Sequence, residues 1–269
     1  MSIVIYKPDL ALLERTVSSL GRAVVGLEGS CCVLIMVDNS PCPMSPQDRA
    51  ALEALLPGEL VKVSWLAGHG NPGYGRGHNL ALRTANSACH LILNPDVELA
   101  PDALVNALRF LDANPECVLV SPVACWPDGR VQHLCKRFPS PFVLALRGFG
   151  ADCLKRWFDA PLARYEYRDA PQALTLWDPQ LVSGCCMLFR TDVLLRLGGF
   201  DSSYFLYFED FDLSLRAARF GRLARVGEVR VTHHGGNAAR KGGRHLWLFL
   251  RSAFRFYAGH GVAWWRRGA

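Results

Sequence analysis

The sequence predicts an α/β protein built on an open, mostly parallel sheet, and three observations carry that prediction. Apolar β-type runs alternate with helical repeats through the first half of the chain. Residues 31–37 are continuously apolar, the pattern of a strand covered on both faces. Such runs end abruptly in polar loops at Asp38-Asn39-Ser40-Pro41 and at Asn94-Pro95-Asp96. In open α/β sheets, ligands sit outside the carboxyl ends of the strands, so these two loops are the first places to look for a site.

Residues 2–6 form a short strand. Pro8 opens a helix in which Leu10, Leu13, Val17 and Leu20 recur at helical spacing. After the strand at 31–37, residues 47–56 read as helix and 61–66 as strand. A glycine loop over 68–77 leads into a helix through Leu80, Leu82 and Ala85. Residues 90–93 are a strand, 101–111 a helix with proline at its start, and 118–123 another strand. Residues 136–180 show little periodicity and read as a long loop excursion, a kind of segment that often carries function. Beyond it come a strand over 181–190 and a short helix over 192–197, closed by Gly198-Gly199. A helix over 210–220 closed by Gly221 and a last strand over 229–233 follow. Residues 243–269 interleave Trp247, Phe249, Phe254, Phe256, Trp264 and Trp265 with Arg244, Arg251, Arg255, Arg266 and Arg267. That amphipathic pattern suits either a membrane interface or a helix packed on the domain.

The chain has 269 residues, enough for a substantial core, and half are hydrophobic, which excludes a disordered protein. A net charge of +6 suits anionic partners, but no basic run accompanies a nucleic-acid-binding motif, so no nucleic acid is expected. The ten cysteines include no C-x-x-C pair, and Cys31-Cys32 and Cys185-Cys186 are adjacent, which suits neither a disulfide framework nor a zinc knuckle. No signal peptide and no apolar run of about 20 residues is apparent, so a cytoplasmic protein is expected.

The most informative stretch is Phe205-Leu206-Tyr207-Phe208-Glu209-Asp210-Phe211-Asp212-Leu213-Ser214-Leu215-Arg216. Three carboxylates among aromatic residues are partly desolvated, which raises their pKa and improves them as proton acceptors near neutral pH. Glu209 and Asp212 could instead favour the helix start, and Asp212 is spaced to pair with Arg216. The loop Asn71-Pro72-Gly73-Tyr74-Gly75-Arg76-Gly77-His78-Asn79 places glycines before a helix N-terminus, as an anion cradle or as a plain turn. It matches neither the dinucleotide fingerprint nor a P-loop. Asp38 can accept from a ribose hydroxyl or a base, or simply form a turn. Asp96, beside the Asn94 amide, can hold a divalent cation completed by water and diphosphate oxygens. His233 and His234 end the last strand, where imidazole can complete a metal site or hold a phosphate.

The order of these motifs, with Ser183-Gly184-Cys185 and Gly198-Gly199-Phe200-Asp201 between them, resembles the family 2 glycosyltransferases, especially their rhamnosyltransferase-like branch. The resemblance runs from about residue 2 to about residue 236. It implies a GT-A fold, a mostly parallel sheet with helices on both faces. A nucleotide-sugar-binding part would span 1–125, an acceptor-binding part 126–236, and a helical aromatic and basic tail 237–269. It implies inverting transfer from a nucleotide-diphosphate sugar, first of all dTDP-L-rhamnose, to a saccharide or lipid-linked glycan at the inner membrane face. It further implies a divalent cation, Mg²⁺ or Mn²⁺, on Asp96 and His233, and a catalytic base at Asp210 with Glu209 as rival. Tyr6, Asp38, Asn39, Asn71, Gly73, Gly75, Asn79 and Asn94 would face the donor, and Ser183, Gly184 and Asp212 the acceptor. The metal motif here holds one acid rather than two. A nucleotidyltransferase would need a basic glycine loop near the N-terminus, which residues 2–20 lack. A non-catalytic sugar- or membrane-binding protein of the same fold would not need the acids, and all are present.

Overall fold

The computed structural model describes residues 1–27, 29, 31–149, 152–235 and 243–262. The first half is β1 (Ser2–Ile5), α1 (Leu10–Val25), β2 (Cys32–Asp38), α2 (Pro46–Glu53), β3 (Val61–Ala67), α3 (Tyr74–Leu82), β4 (Cys89–Leu93), β5 (Val97–Leu99), α4 (Ala103–Ala113) and β6 (Cys117–Cys125). The second half is β7 (Val131–Gln132), β8 (Cys135–Lys136), α5 (Pro141–Phe149), α6 (Asp152–Trp157), α7 (Asp159–Tyr165), β9 (Leu176–Trp177), β10 (Leu181–Val182), β11 (Cys186–Arg190), α8 (Thr191–Arg196), α9 (Glu209–Ala217), β12 (Arg222–His233) and α10 (Gly243–His260).

The main sheet has the order β3-β2-β1-β4-β11-β6-β12-β5. Its first four strands are parallel, and β11 enters antiparallel between β4 and β6. Strand β12 then runs parallel to β6 and antiparallel to β5. Strand alternation sends side chains to two faces. Ile3, Ile5, Leu91 and Leu93 pack with Leu13, Val17 and Leu20 of α1 and Leu104 and Leu111 of α4. Ile92 and Leu119 point the other way, toward Leu82 of α3, Val193 and Leu194 of α8, and Leu213 and Ala217 of α9. The carboxyl ends of β1, β2 and β4 therefore open on one edge, where Asp38 and Asp96 lie.

Three expectations change. The excursion over 136–180 holds the three helices α5, α6 and α7. Val143, Leu144, Leu146, Leu162 and Tyr165 bury against Tyr204, Phe208 and Phe256, so their partners lie far along the chain and no local period announces them. The strand over 181–190 is two pieces. Leu181 and Val182 pair with Lys136 and Cys135 in a small separate sheet, Ser183-Gly184-Cys185 breaks the run, and Cys186 resumes in the main sheet. The last strand starts at Arg222 rather than 229, because its first residues pair with β6.

The amphipathic tail is helix α10, and its inner face packs on the domain: Phe256 is fully buried and stacks on Phe138 with ring centroids 5.2 Å apart. Its outer face leaves Trp247, Leu250 and Phe254 exposed. Trp264, Trp265, Arg266 and Arg267 lie outside the described residues, as does the boundary expected at 236/237. Among the described residues no helix is long and apolar enough to cross a membrane.

Candidate active site

The acid cluster sits at the start of α9, entered through an uncommon turn. Tyr207 and Phe208 both take positive φ, 71° and 65°, a conformation that L residues avoid. It persists because Phe208 is wedged against Phe249 and Phe256 of α10, with centroids 5.1 and 5.3 Å away. Tyr207 meets His245 through its hydroxyl at 2.8 Å, and Ser252 donates to the Leu206 carbonyl at 2.8 Å. The turn delivers Glu209 and Asp210 side by side. Asp210 accepts from the Gly184 N–H at 2.8 Å and from the Phe211 N–H at 2.9 Å. Burial nevertheless pushes its carboxyl up to about 6. Glu209 is buried, its Oε2 has no hydrogen-bond partner, and burial together with the Asp210 charge pushes it up to about 8. Two neighbouring acids that cannot both ionise easily divide the roles. At neutral pH Glu209 keeps its proton and Asp210 is the available acceptor.

Gly184 is the support of that acceptor. Its N–H holds Asp210 while its carbonyl accepts from the Tyr74 hydroxyl at 2.6 Å. A Cβ at Gly184 would stand 3.1 Å from the Asp210 Cβ and 3.4 Å from the Tyr74 ring, so the peptide is pinned between them. Tyr74→Phe removes a hydrogen bond worth about 1 kcal/mol and loosens Asp210. The expected result is a several-fold lower kcat with unchanged nucleotide affinity, measured by steady-state kinetics and calorimetry.

Asp96 follows β4, and His233 ends β12 opposite Val97. His233 Nε2 lies 3.5 Å from Asp96 Oδ1, and its Nδ1 lies 2.6 Å from the Gln132 amide oxygen. That oxygen can only accept, so Nδ1 carries a proton and Nε2 is the ring nitrogen turned toward Asp96. The Asn94 side-chain oxygen nearby in sequence is buried without a hydrogen-bond partner. Among the described residues no group of three or more His, Cys, Asp or Glu forms a metal cage. A carboxylate, an imidazole and an unspent amide oxygen fit a hard divalent cation whose other positions come from diphosphate and water. Asp96→Ala and His233→Ala are expected to abolish the Mn²⁺ dependence of nucleotide binding, measured by calorimetry with and without the ion. The Tyr74 hydroxyl, whose pKa burial raises most, feels charges from both halves, Glu209 and Asp210 on one and Asp96 on the other.

At the carboxyl ends of β1 and β2, a cleft of about 360 Å³ is lined by residues that include Lys7, Asp38, Ser40, Cys42 and Met44. Asp38 is buried and accepts from the Ser40 and Met44 N–H groups at 2.9 and 2.7 Å, so it shapes the wall. Tyr6 is exposed at the mouth of this edge.

Several expected donor and acceptor residues have other occupations. Asn39 bonds His69 and the Gly73 carbonyl, and the Asn71 oxygen caps the Gly73 N–H. Asn79 spends both ends of its amide on the Phe200 backbone. Gly73 and Gly75 allow close approach to Phe205 and Phe200, where a Cβ would come within 2.4 and 2.7 Å, so close packing of the protein itself requires glycine at both positions. Asp212 accepts from Arg216 at 2.7 Å through one oxygen and its other oxygen lies 2.8 Å from His260 Nε2, which ties α9 to α10. The backbone of Ser183 bonds Leu134, and the Gly184 N–H donates to Asp210. Sequence reasoning missed His69, Tyr74, Gln132 and His260, each joined to its partner across 30 or more residues.

No family model matches the chain. A curated relative, the N-acetylglucosaminyl-diphospho-decaprenol L-rhamnosyltransferase of Mycobacterium tuberculosis, is 28% identical over 98% of this chain and 85% of its own length. The rhamnosyltransferase WbbL of Escherichia coli is 26% identical over 69% of this chain and 70% of its own. The chain is a glycosyltransferase similar to rhamnosyltransferases. Its GT-A fold is shared with GalNAc-T7 in complex with UDP, GalNAc and Mn²⁺ (TM-score 0.62, 14% identity, 98% of this chain, 52% of that one). It is shared also with the mannosyltransferase PcManGT of Pyrobaculum calidifontis with GDP-Man and Mn²⁺ (TM-score 0.59, 18% identity, 94% and 64%). In GT-A terms, the first four sheet strands and β12 bring Asp38, Asp96 and His233 to the sheet edge.

Proposed function

We propose that the chain transfers L-rhamnose, with inversion, from dTDP-L-rhamnose to a hydroxyl of a lipid-linked saccharide in cell-surface polysaccharide synthesis. The similarity to rhamnosyltransferases supports the sugar, and Asp210, held by the Gly184 and Phe211 N–H groups beside the unpartnered Glu209 Oε2, carries the mechanism. The acceptor hydroxyl gives its proton to Asp210 as its oxygen attacks the anomeric carbon. The bond to the diphosphate breaks, and the nucleoside diphosphate leaves as a stable anion without a general acid. Asp96 and His233, with Asn94 beside them, would hold a divalent cation, which when bound supplies positive charge to the diphosphate. Residues 1–125 serve the donor and 126–236 the acceptor. The exposed Trp247, Leu250 and Phe254, flanked by Arg251 and Arg255, suit contact with the inner membrane face, where such acceptors are anchored.

The test is thermal melting with a panel of nucleotide sugars, with and without Mn²⁺. dTDP-L-rhamnose plus Mn²⁺ should raise Tm most, by mass action. No shift from any nucleotide sugar, with or without the ion, would sink the proposal.

A further inference from the structure

The segment over 136–168 carries Lys136, Arg137, Arg147, Lys155, Arg156, Arg164 and Arg168 against Asp152, Asp159 and Glu166. That excess of four positive charges is most of the net +6, in about an eighth of the chain. It lies within residues 126–236, the part proposed above to serve the acceptor. Its centre is built, not merely basic: Lys136 is buried, with Nζ 3.1 Å from Glu166 Oε1 and 5.4 Å from the Tyr165 ring centroid. Arg147 approaches the same Glu166 oxygen at 3.5 Å, and Arg168 takes the other at 2.7 Å. Three cations thus share one carboxylate, and burial and the Arg147 charge push the Lys136 ammonium down to about 7. Tyr165 is buried in one cluster with Leu181 and Phe208, against which Phe211 packs, so it lies near the turn that carries Glu209 and Asp210. The chain path agrees: Lys136 pairs with Leu181, three residues before Gly184, a separation on the order of 10 Å along a strand. One sugar ring with its diphosphate spans such a gap. On α5, which carries Arg147, and on α6, which follows it, Phe142, Leu154 and Trp157 are exposed, Trp157 at 88%.

We infer that Arg147 and Lys136, with Tyr165, form a subsite for the diphosphate of a polyprenyl-type acceptor, and that Phe142, Leu154 and Trp157 receive its lipid chain. Charge complementarity selects this occupant, because a doubly charged head beside an apolar tail matches a cation cluster beside exposed aromatic rings. Arg147 is half-exposed and offers the accessible fork, while Lys136 supplies charge from behind. The inference rests on the proposed function for the identity of the acceptor, and its test is independent of turnover.

The test is titration of Trp fluorescence with dodecyl diphosphate and with dodecyl maltoside, below micelle formation. The parent should bind the diphosphate at least tenfold more tightly than the neutral amphiphile. Arg147→Ala should remove most of that preference and leave maltoside binding unchanged, and Arg156→Ala, in the same basic segment, should behave as the parent. Equal binding of the two amphiphiles by the parent overturns the inference. So does equal loss in Arg147→Ala and Arg156→Ala, which would mark diffuse charge in place of a site. Failure of the nucleotide-sugar panel with the diphosphate preference intact would remove the transferase reading and leave the anionic-lipid site standing.

Discussion

Asp210→Asn is expected to lower kcat by about 10²–10⁴-fold while donor binding is kept. The substitution keeps the shape and the hydrogen bond from Gly184 but cannot take a proton. Glu209→Gln should cost far less, because the residue it replaces is protonated at neutral pH and the amide keeps that neutrality. The parent pH profile follows from the same pair. With Asp210 at about 6, kcat/KM falls as pH drops below that value and the base protonates. Glu209 has the opposite linkage to stability. Its folded pKa, about 8, exceeds its ordinary 4.5, so its stabilising contribution is complete below 4.5 and is lost as pH rises through 8. Glu209→Gln should therefore be more stable than the parent at pH 9 and not at pH 5, measured by urea unfolding at both.

Phe256→Ala should lose about 3–5 kcal/mol of stability, the usual cost of truncating a fully buried aromatic ring. Its effect on turnover should exceed that of an equally destabilising change elsewhere. Phe256 touches Phe208, one of the two residues held at positive φ, and Phe211, which follows the base. With the ring gone, the turn can relax toward ordinary backbone and Asp210 swings from Gly184. Leu20→Ala in α1, equally buried but remote from the cleft, is the control. The account expects the folded fraction of Phe256→Ala to turn over at least tenfold more slowly than that of Leu20→Ala, and equal rates would refute the coupling.

The fold was legible where side-chain period and strand ends are local properties. The parallel strands, the loops at Asp38 and Asp96 and the helix at 210–220 all follow from patterns within a dozen residues. The excursion over 136–180 was not legible, because α5 and α7 are stabilised by Phe208 and Phe256 from distant segments. At the site, Asp210 and Glu209 stood out as acids among aromatic residues. Sequence could not show that Asp212 is spent on Arg216 and His260, although the spacing to Arg216 announced half of it. The glycine loop was ambiguous for a physical reason. Glycine marks close approach, and only the structure names Phe200 and Phe205 as approaching groups.

The central claim is a single-displacement transfer with Asp210 as the only base. The most direct measurement is the anomeric configuration of the product, read by NMR after incubation with dTDP-L-rhamnose, Mn²⁺ and a diphosphate-linked N-acetylglucosamine lipid. The account predicts a rhamnoside with the configuration opposite to that of the donor. A product that retains the donor configuration would contradict it.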